Sequence, residues 1–241
     1  MTTAFQTTRV SAVIEETPRI NRYRLVADGA DLPGFEAGAH VDVLCPDGQM
    51  RQYSLCNAPS QSPAFYEIAV LREDQGRGGS RSLHDGIARD ARLRIGLPRN
   101  HFPLVPVAGR TILLAGGIGI TPLVSMLRAL AREGRDWQLH YCARSPDEAA
   151  FLAPLSEAAY LPYCSFHFSR AGSGGRLDPA AVLATARPGD IVYCCGPEGF
   201  VDAAEQAARR AGIAFRAERF KAAAQPAEPD SDQPFQVEIA S

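Results

Sequence analysis

Thr111-Ile112-Leu113-Leu114-Ala115-Gly116-Gly117-Ile118-Gly119-Ile120-Thr121-Pro122 decides the fold of this chain. A compact apolar run ends in closely spaced glycines, and Ile120, Leu123, Val124, Leu127 and Leu130 then recur at helical spacing until Gly134. Strand, glycine turn and helix in that order leave free backbone amides at a helix N-terminus, where a pyrophosphate can sit. The spacing is G-x-G-x-x-P, so the ordinary dinucleotide fingerprint G-x-G-x-x-G is not matched. Pro122 suits the first turn of a helix, where its missing N–H costs nothing. The same letters also describe a strand-to-helix turn without a ligand.

Towards the C-terminus the alternation continues, with expected strands at 138–143, 165–169 and 191–194 and helices at 148–159, 179–184 and 198–211. Such alternation predicts a parallel sheet covered on both faces. Towards the N-terminus the pattern is different. Short β-branched, aromatic and aliphatic runs at 10–14, 22–26, 41–44, 52–56, 66–71 and 92–95 are separated by clusters such as Pro46-Asp47-Gly48 and Ala58-Pro59-Ser60. Those runs, with one short helical stretch at 80–86, predict a small antiparallel β-barrel. The expected organisation is therefore two domains, a β-barrel over 1–103 followed by an α/β domain over 104–221. The segment 222–241 reads as a linker leading into one strand, Phe235-Gln236-Val237-Glu238-Ile239, that begins a truncated third domain.

Composition narrows the classes. With 241 residues, 46% hydrophobic and 22% charged, the chain can bury two ordinary cores. A net charge of -2 with mixed signs gives no footprint for nucleic acid. No apolar run reaches the ~20 residues of a membrane span, and Met1-Thr2-Thr3-Ala4-Phe5 lacks signal-peptide features. The expectation is a cytoplasmic protein with neither a membrane nor a nucleic-acid partner. Cys45, Cys56, Cys142, Cys164, Cys194 and Cys195 show no zinc or iron–sulfur spacing, so no metal site is expected.

Three further stretches carry chemistry. In Arg51-Gln52-Tyr53-Ser54-Leu55, alternation puts Arg51 and Tyr53 on one strand face and Ser54 on the other. An isoalloxazine ring could lie against that backbone with Arg51 at its phosphate and Ser54 donating to N5, although the pentapeptide alone reads better as an edge strand with a solvated arginine and a surface tyrosine. Gly76-Arg77-Gly78-Gly79-Ser80 opens the short helical stretch and offers amides to a terminal phosphate, which favours FMN over FAD. Cys195-Gly196-Pro197-Glu198-Gly199-Phe200 follows an apolar strand, where open parallel sheets bind ligands. There a thiol could lie against nicotinamide C4, whereas Cys194 reads as a core residue.

In this order the motifs resemble the ferredoxin-NADP reductase superfamily, and most closely its phthalate dioxygenase reductase and vanillate demethylase reductase branch. The resemblance spans roughly 9–220. It implies that Arg51, Tyr53 and Ser54 hold the flavin, that Gly79 and Ser80 bind the FMN phosphate, and that Phe220 of Glu218-Arg219-Phe220 lies near the flavin. Gly117, Gly119 and Thr121 then match the nucleotide pyrophosphate turn, and Cys195, with Gly196 and Pro197, the hydride-transfer point. Ser54, Thr121 and Cys195 are thus the expected catalytic residues. Arg144, Ser169 and Arg170 join the expected nucleotide contacts. NADH is the branch default, but Ser169-Arg170 is the kind of pair that presents itself to the 2'-phosphate of NADPH. The branch carries a C-terminal ferredoxin domain with a 2Fe-2S cluster, which implies a Rieske-type aromatic oxygenase or O-demethylase as the partner. Another acceptor, such as a quinone, and a non-catalytic nucleotide-sensing module are the alternatives.

Overall fold

A computed structural model describes residues 5–170 and 176–220. Its first strands are β1 (Phe5–Thr17), β2 (Ile20–Ala27), β3 (His40–Leu44), β4 (Met50–Ser54) and β5 (Tyr66–Leu71), followed by α1 (Gly79–Gly86) and β6 (Arg92–Gly96). Alternate residues explain why these runs assemble. Val10, Tyr23, Leu25, Val41, Val43, Ile68 and Ile95 are buried together, while Met50 and Gln52 face water. The six strands pair antiparallel in the order β4-β3-β6-β1-β2-β5. Leu55, just past β4, bridges Ile68 in β5, and Cys56 N–H donates to the Glu67 carbonyl at 2.9 Å, so the two edges of the sheet meet.

The second half contains β7 (Thr111–Gly116), α2 (Ile120–Arg132), β8 (Trp137–Ala143), α3 (Leu152–Leu155) and β9 (Cys164–Phe168). It ends with α4 (Pro179–Leu183), β10 (Ile191–Gly196), α5 (Glu198–Ala211) and β11 (Ala214–Arg219). All five strands are parallel, in the order β11-β10-β7-β8-β9. Leu113, Leu139, Tyr141 and Tyr193 pack with α2 on one face; Ile112, Leu114, Val192 and Cys194 pack with α5 on the other. The order in which strands are added to the sheet reverses between β7 and β10, and at such a point the loops diverge and leave a crevice.

Two expectations need correction. The helix expected at 148–159 is only a 3-10 turn, Pro146–Glu148, and the four-residue α3. Phe151 takes the left-handed φ of 61°, and Pro154 in the first turn of α3 would clash with a helical residue four positions earlier, so the helix cannot extend towards its N-terminus. Conversely, β11 was not expected at all, yet it pairs with β10 along its whole length. The strand expected at Phe235-Gln236-Val237-Glu238-Ile239 lies outside the described residues.

Residues 97–110 connect the sheets, and the halves share one apolar cluster. Ile20, Ala37, Cys56 and Ala69 from the barrel are buried together with Leu123, Met126 and Leu127 of α2. Arg128 donates to the Cys56 carbonyl and Arg132 to that of Pro59, each at 2.8 Å. Glu16 accepts from the Phe151 N–H at 2.8 Å while pairing with Arg22, which also holds buried Glu67. No helix among the described residues is long and apolar enough to cross a membrane.

Candidate active site

The crevice is built from glycines because backbone must approach backbone there. A Cβ on Gly196 would stand 2.9 Å from Gly116 Cα, and one on Gly119 would stand 2.3 Å from the Cys195 carbonyl oxygen. A single 3-10 turn, Gly117–Gly119, leads into α2, and no side chain caps the helix start. The Thr121 hydroxyl donates to the Ile118 carbonyl at 3.1 Å, holding the turn, while Pro122 sits in the first helical turn. Uncapped amides at the C-terminal end of β7 can receive an anion such as a pyrophosphate.

Across the same end of the sheet, Ala115, Cys195 and Glu218 are register neighbours on β7, β10 and β11. Cys195 is fully buried, and burial, then Glu218 and Cys194, pushes its thiol pKa up. It is therefore a neutral thiol packed beneath the crevice. Cys194 faces the α5 side, as the sequence suggests. Glu218 is the residue that sequence reasoning missed. The signal was the alternation of β11: Phe215 and Ala217 pack towards α5, which leaves Glu218 on the face of Cys195.

From the barrel side, Ser54 reaches the same place. Its hydroxyl, on a residue only 6% exposed, donates to Glu218 Oε2 over a long 3.5 Å. Burial raises the Glu218 carboxyl to about 7, and the Ser54 hydrogen bond opposes that rise. The unfolded chain holds such a proton only below about 4.3. Between roughly pH 4.3 and 7 the folded state thus binds more protons, so this group's contribution to stability falls as pH rises through that window. Glu218→Gln should accordingly gain on the order of 3 kcal/mol over the parent at pH 8 relative to pH 4. Urea denaturation at the two pH values checks this; a pH-independent difference would refute it.

The barrel offers a second uncapped helix start, beside a guanidinium. Arg51 and Tyr53 lie opposite Val43 and Val41, and the Tyr53 ring is half-buried against the barrel cluster, where burial raises its hydroxyl pKa. The Arg51 stem lies along the start of α1, so that a Cβ on Gly79 would be 3.0 Å from Arg51 Cγ. Gly78, at φ 97°, provides no side-chain cap, and Gly79 N–H opens the helix beside the guanidinium, which also bonds Gln49. Arg51 and Gly79 thus come together. The Ser80 hydroxyl accepts from the Glu73 N–H at 3.1 Å and closes the preceding loop, and Phe220 is exposed just past β11.

At the far end of the crevice, Ser169 N–H donates to the Ala143 carbonyl and Arg170 N–H to that of Arg144. Both guanidinium groups converge on Glu148, at 3.7 Å from Arg144 and 2.7 Å from Arg170. Sequence reasoning missed this carboxylate. Among the described residues, no three His, Cys, Asp or Glu side chains are placed to hold a metal ion.

Comparison with known proteins agrees with this geometry. A family model described as an oxidoreductase NAD-binding domain matches residues 113–206. Vanillate O-demethylase oxidoreductase of Pseudomonas putida is 43% identical over 94% of this chain and 71% of its own length. The reductase subunit of tert-butanol monooxygenase / tert-amyl alcohol desaturase of Aquincola tertiaricarbonis is 46% identical, over 83% of this chain and 59% of its own length. Among solved structures, phthalate dioxygenase reductase superposes with a TM-score of 0.81 at 36% identity, over 89% of this chain and 68% of that one. Fold, crevice and relatives together define an NAD(P)H-dependent oxidoreductase. More narrowly, the chain belongs to the phthalate dioxygenase reductase branch of the ferredoxin-NADP reductase superfamily. It spans from 59% to 71% of the length of the two reductases named by organism.

Proposed function

We propose that this chain is the NAD(P)H- and FMN-binding part of an oxygenase reductase, its barrel over 1–103 holding the flavin and its α/β domain over 104–221 the nucleotide. The observation that carries the reading is the meeting of Ser54, from the barrel, with Glu218 beside Cys195, from the parallel sheet. Two anion sites on separate domains flank that meeting point. Arg51 and the α1 amides suit a terminal phosphate monoester, which favours FMN; the α2 amides suit the nucleotide's pyrophosphate.

When bound, the flavin supplies the conversion between a hydride and single electrons. The chain's own groups do the rest. Backbone and Tyr53 orient one ring, the glycines at 116, 119 and 196 let the other approach, and Ser54 and Glu218 hold a proton between them. In this reading electrons would pass singly to a 2Fe-2S centre, as electron transfer from pyridine nucleotides to 2Fe-2S in phthalate dioxygenase reductase supports, and on to an oxygenase or O-demethylase, as the relatives' names support; a Rieske-type partner is what the family resemblance implies. NADH is the expected donor. Arg144 and Arg170 would accept a 2'-phosphate only by leaving Glu148.

Stopped-flow mixing of the flavin-loaded chain with NADH or NADPH tests this reading by bleaching near ~450 nm. Rapid bleaching is expected with NADH; a chain that takes up no flavin would overturn it. Arg51→Ala should weaken FMN binding about 10- to 100-fold, the loss of one charge-assisted hydrogen bond. Fluorescence quenching on titration measures that constant, and a change below about threefold would remove Arg51 from the site.

A further inference from the structure

His40 has no task in this reading, yet it is only 5% exposed and neither ring nitrogen has a hydrogen-bond partner among the described residues. Leaving a buried polar atom unpaired is costly, so such a group calls for an explanation. Its position supplies one. His40 N–H and C=O both bond Arg99, at 2.8 and 2.9 Å, on one flank of β3. On the other flank it is paired with Ser54. That pairing is therefore the narrow, non-hydrogen-bonded kind, in which facing Cβ atoms stand about 4.5–5.5 Å apart. The imidazole and the Ser54 hydroxyl share a face.

On its far side the His40 ring meets His101 edge to face, with centroids 5.1 Å apart, and His101 is exposed. Ser54, His40 and His101 thus stand in a row between the crevice and water. The charged groups around the imidazole are Asp42, two residues along β3, and Arg99, which pairs with Asp42 at 2.6 Å; Glu218 lies beyond Ser54. Burial, then His101 and Arg99, lowers the His40 pKa, against the pull of Asp42. At neutral pH the ring is uncharged, with one nitrogen to accept and one to donate.

We infer that His40 and His101 carry a proton between the Ser54 hydroxyl and water. The inference rests on the proposed reaction. NAD(P)H becoming NAD(P)+ yields two electrons and one proton, and acceptors that take electrons singly remove no proton. One proton must therefore leave the site in each turnover. Ser54 Oγ receives it while its own hydroxyl proton passes to one nitrogen of His40. The other nitrogen gives its proton to His101, which passes it to solvent; the bond that held the proton on its donor breaks, and the imidazole, left as its other tautomer, is reset by a ring flip before the next turnover. A nicotinamide over Ala115, Cys195 and Glu218 covers the Glu218 side, whereas the His101 side stays open.

The test separates the two half-reactions in the flavin-loaded chain. Anaerobic reduction by NADH should stay within about twofold in His40→Phe, while reoxidation by excess ferricyanide slows at least about tenfold. His101→Ala should slow reoxidation as well, with rescue by added imidazole, and the solvent deuterium isotope effect should change in both variants. A readout independent of turnover is 15N NMR of histidine-labelled protein, in which Ser54→Ala should shift the His40 ring resonances. Reoxidation and isotope effect unchanged in both His40→Phe and His40→Gln would overturn the inference, as would a His40 signal indifferent to Ser54→Ala. Should His40→Phe fail to fold, the His101→Ala rescue decides. Loss of reduction in the parent chain would instead sink the proposed function.

Discussion

Gly119→Val is expected to lower kcat/KM for NADH by about 10²-fold or more while leaving the flavin bound. A Cβ there would stand 2.3 Å from the Cys195 carbonyl oxygen and 2.7 Å from Gly196 N. Both atoms belong to the end of β10, which β7 and β11 fix on either flank, so the strand cannot retreat alone. The start of α2 must move instead, and its amides go with it. Misplacing a bound reactant by about 1 Å is enough for a 10²-fold loss. The barrel site lies on other elements and should keep its affinity. Gly117→Ala is the control: nothing lies within 4 Å of its Cβ, and only the φ of 55° resists, at about 1–2 kcal/mol. Steady-state kinetics with flavin content measured in parallel checks the pair, and equal losses in the two variants would contradict the close-approach argument.

Ser54→Ala should slow reduction by NADH about 10²-fold at unchanged flavin occupancy. Its hydroxyl is the barrel's polar contribution to the row that ends in Glu218. The same change removes a hydrogen bond that lowers the Glu218 pKa, so the carboxyl should titrate above its present value of about 7. The rate profile against pH should move to the alkaline side by the same amount. Stopped-flow reduction between pH 5 and 9 measures both effects; parental rates in Ser54→Ala would remove the serine from the chemistry.

Much of this architecture is legible in the letters. The apolar run before Gly116 and the helical spacing after Ile120 give the strand, the turn and α2, because local backbone needs dominate there. The pairing of Arg51 with the start of α1 follows from two phosphate-type elements that converge only in three dimensions, so each could be named but not their contact. What escaped was set by tertiary context. β11 is a largely exposed edge strand, and Ala214-Phe215-Arg216-Ala217-Glu218-Arg219 carries too little apolar signal to announce itself. Glu218 went unnoticed with it. Glu148 and His40 take their meaning from Arg144, Arg170 and Ser54, none of which is near in sequence except Arg144. The 148–159 helix failed because periodicity was read through Pro154.

The apolar cluster that joins Ile20, Ala37, Cys56 and Ala69 to α2 bears on how substrate enters. With Arg128 and Arg132 tied to barrel carbonyls and Glu16 to the Phe151 amide, opening the crevice by swinging one half would expose that cluster and break these bonds. Barrel and parallel sheet should therefore melt in a single calorimetric transition, and neither half should survive alone. Nicotinamide must then slide into a fixed slot and exchange places with whatever ring or side chain covers it. Residence time in that slot, rather than a hinge, would set the pace of product release.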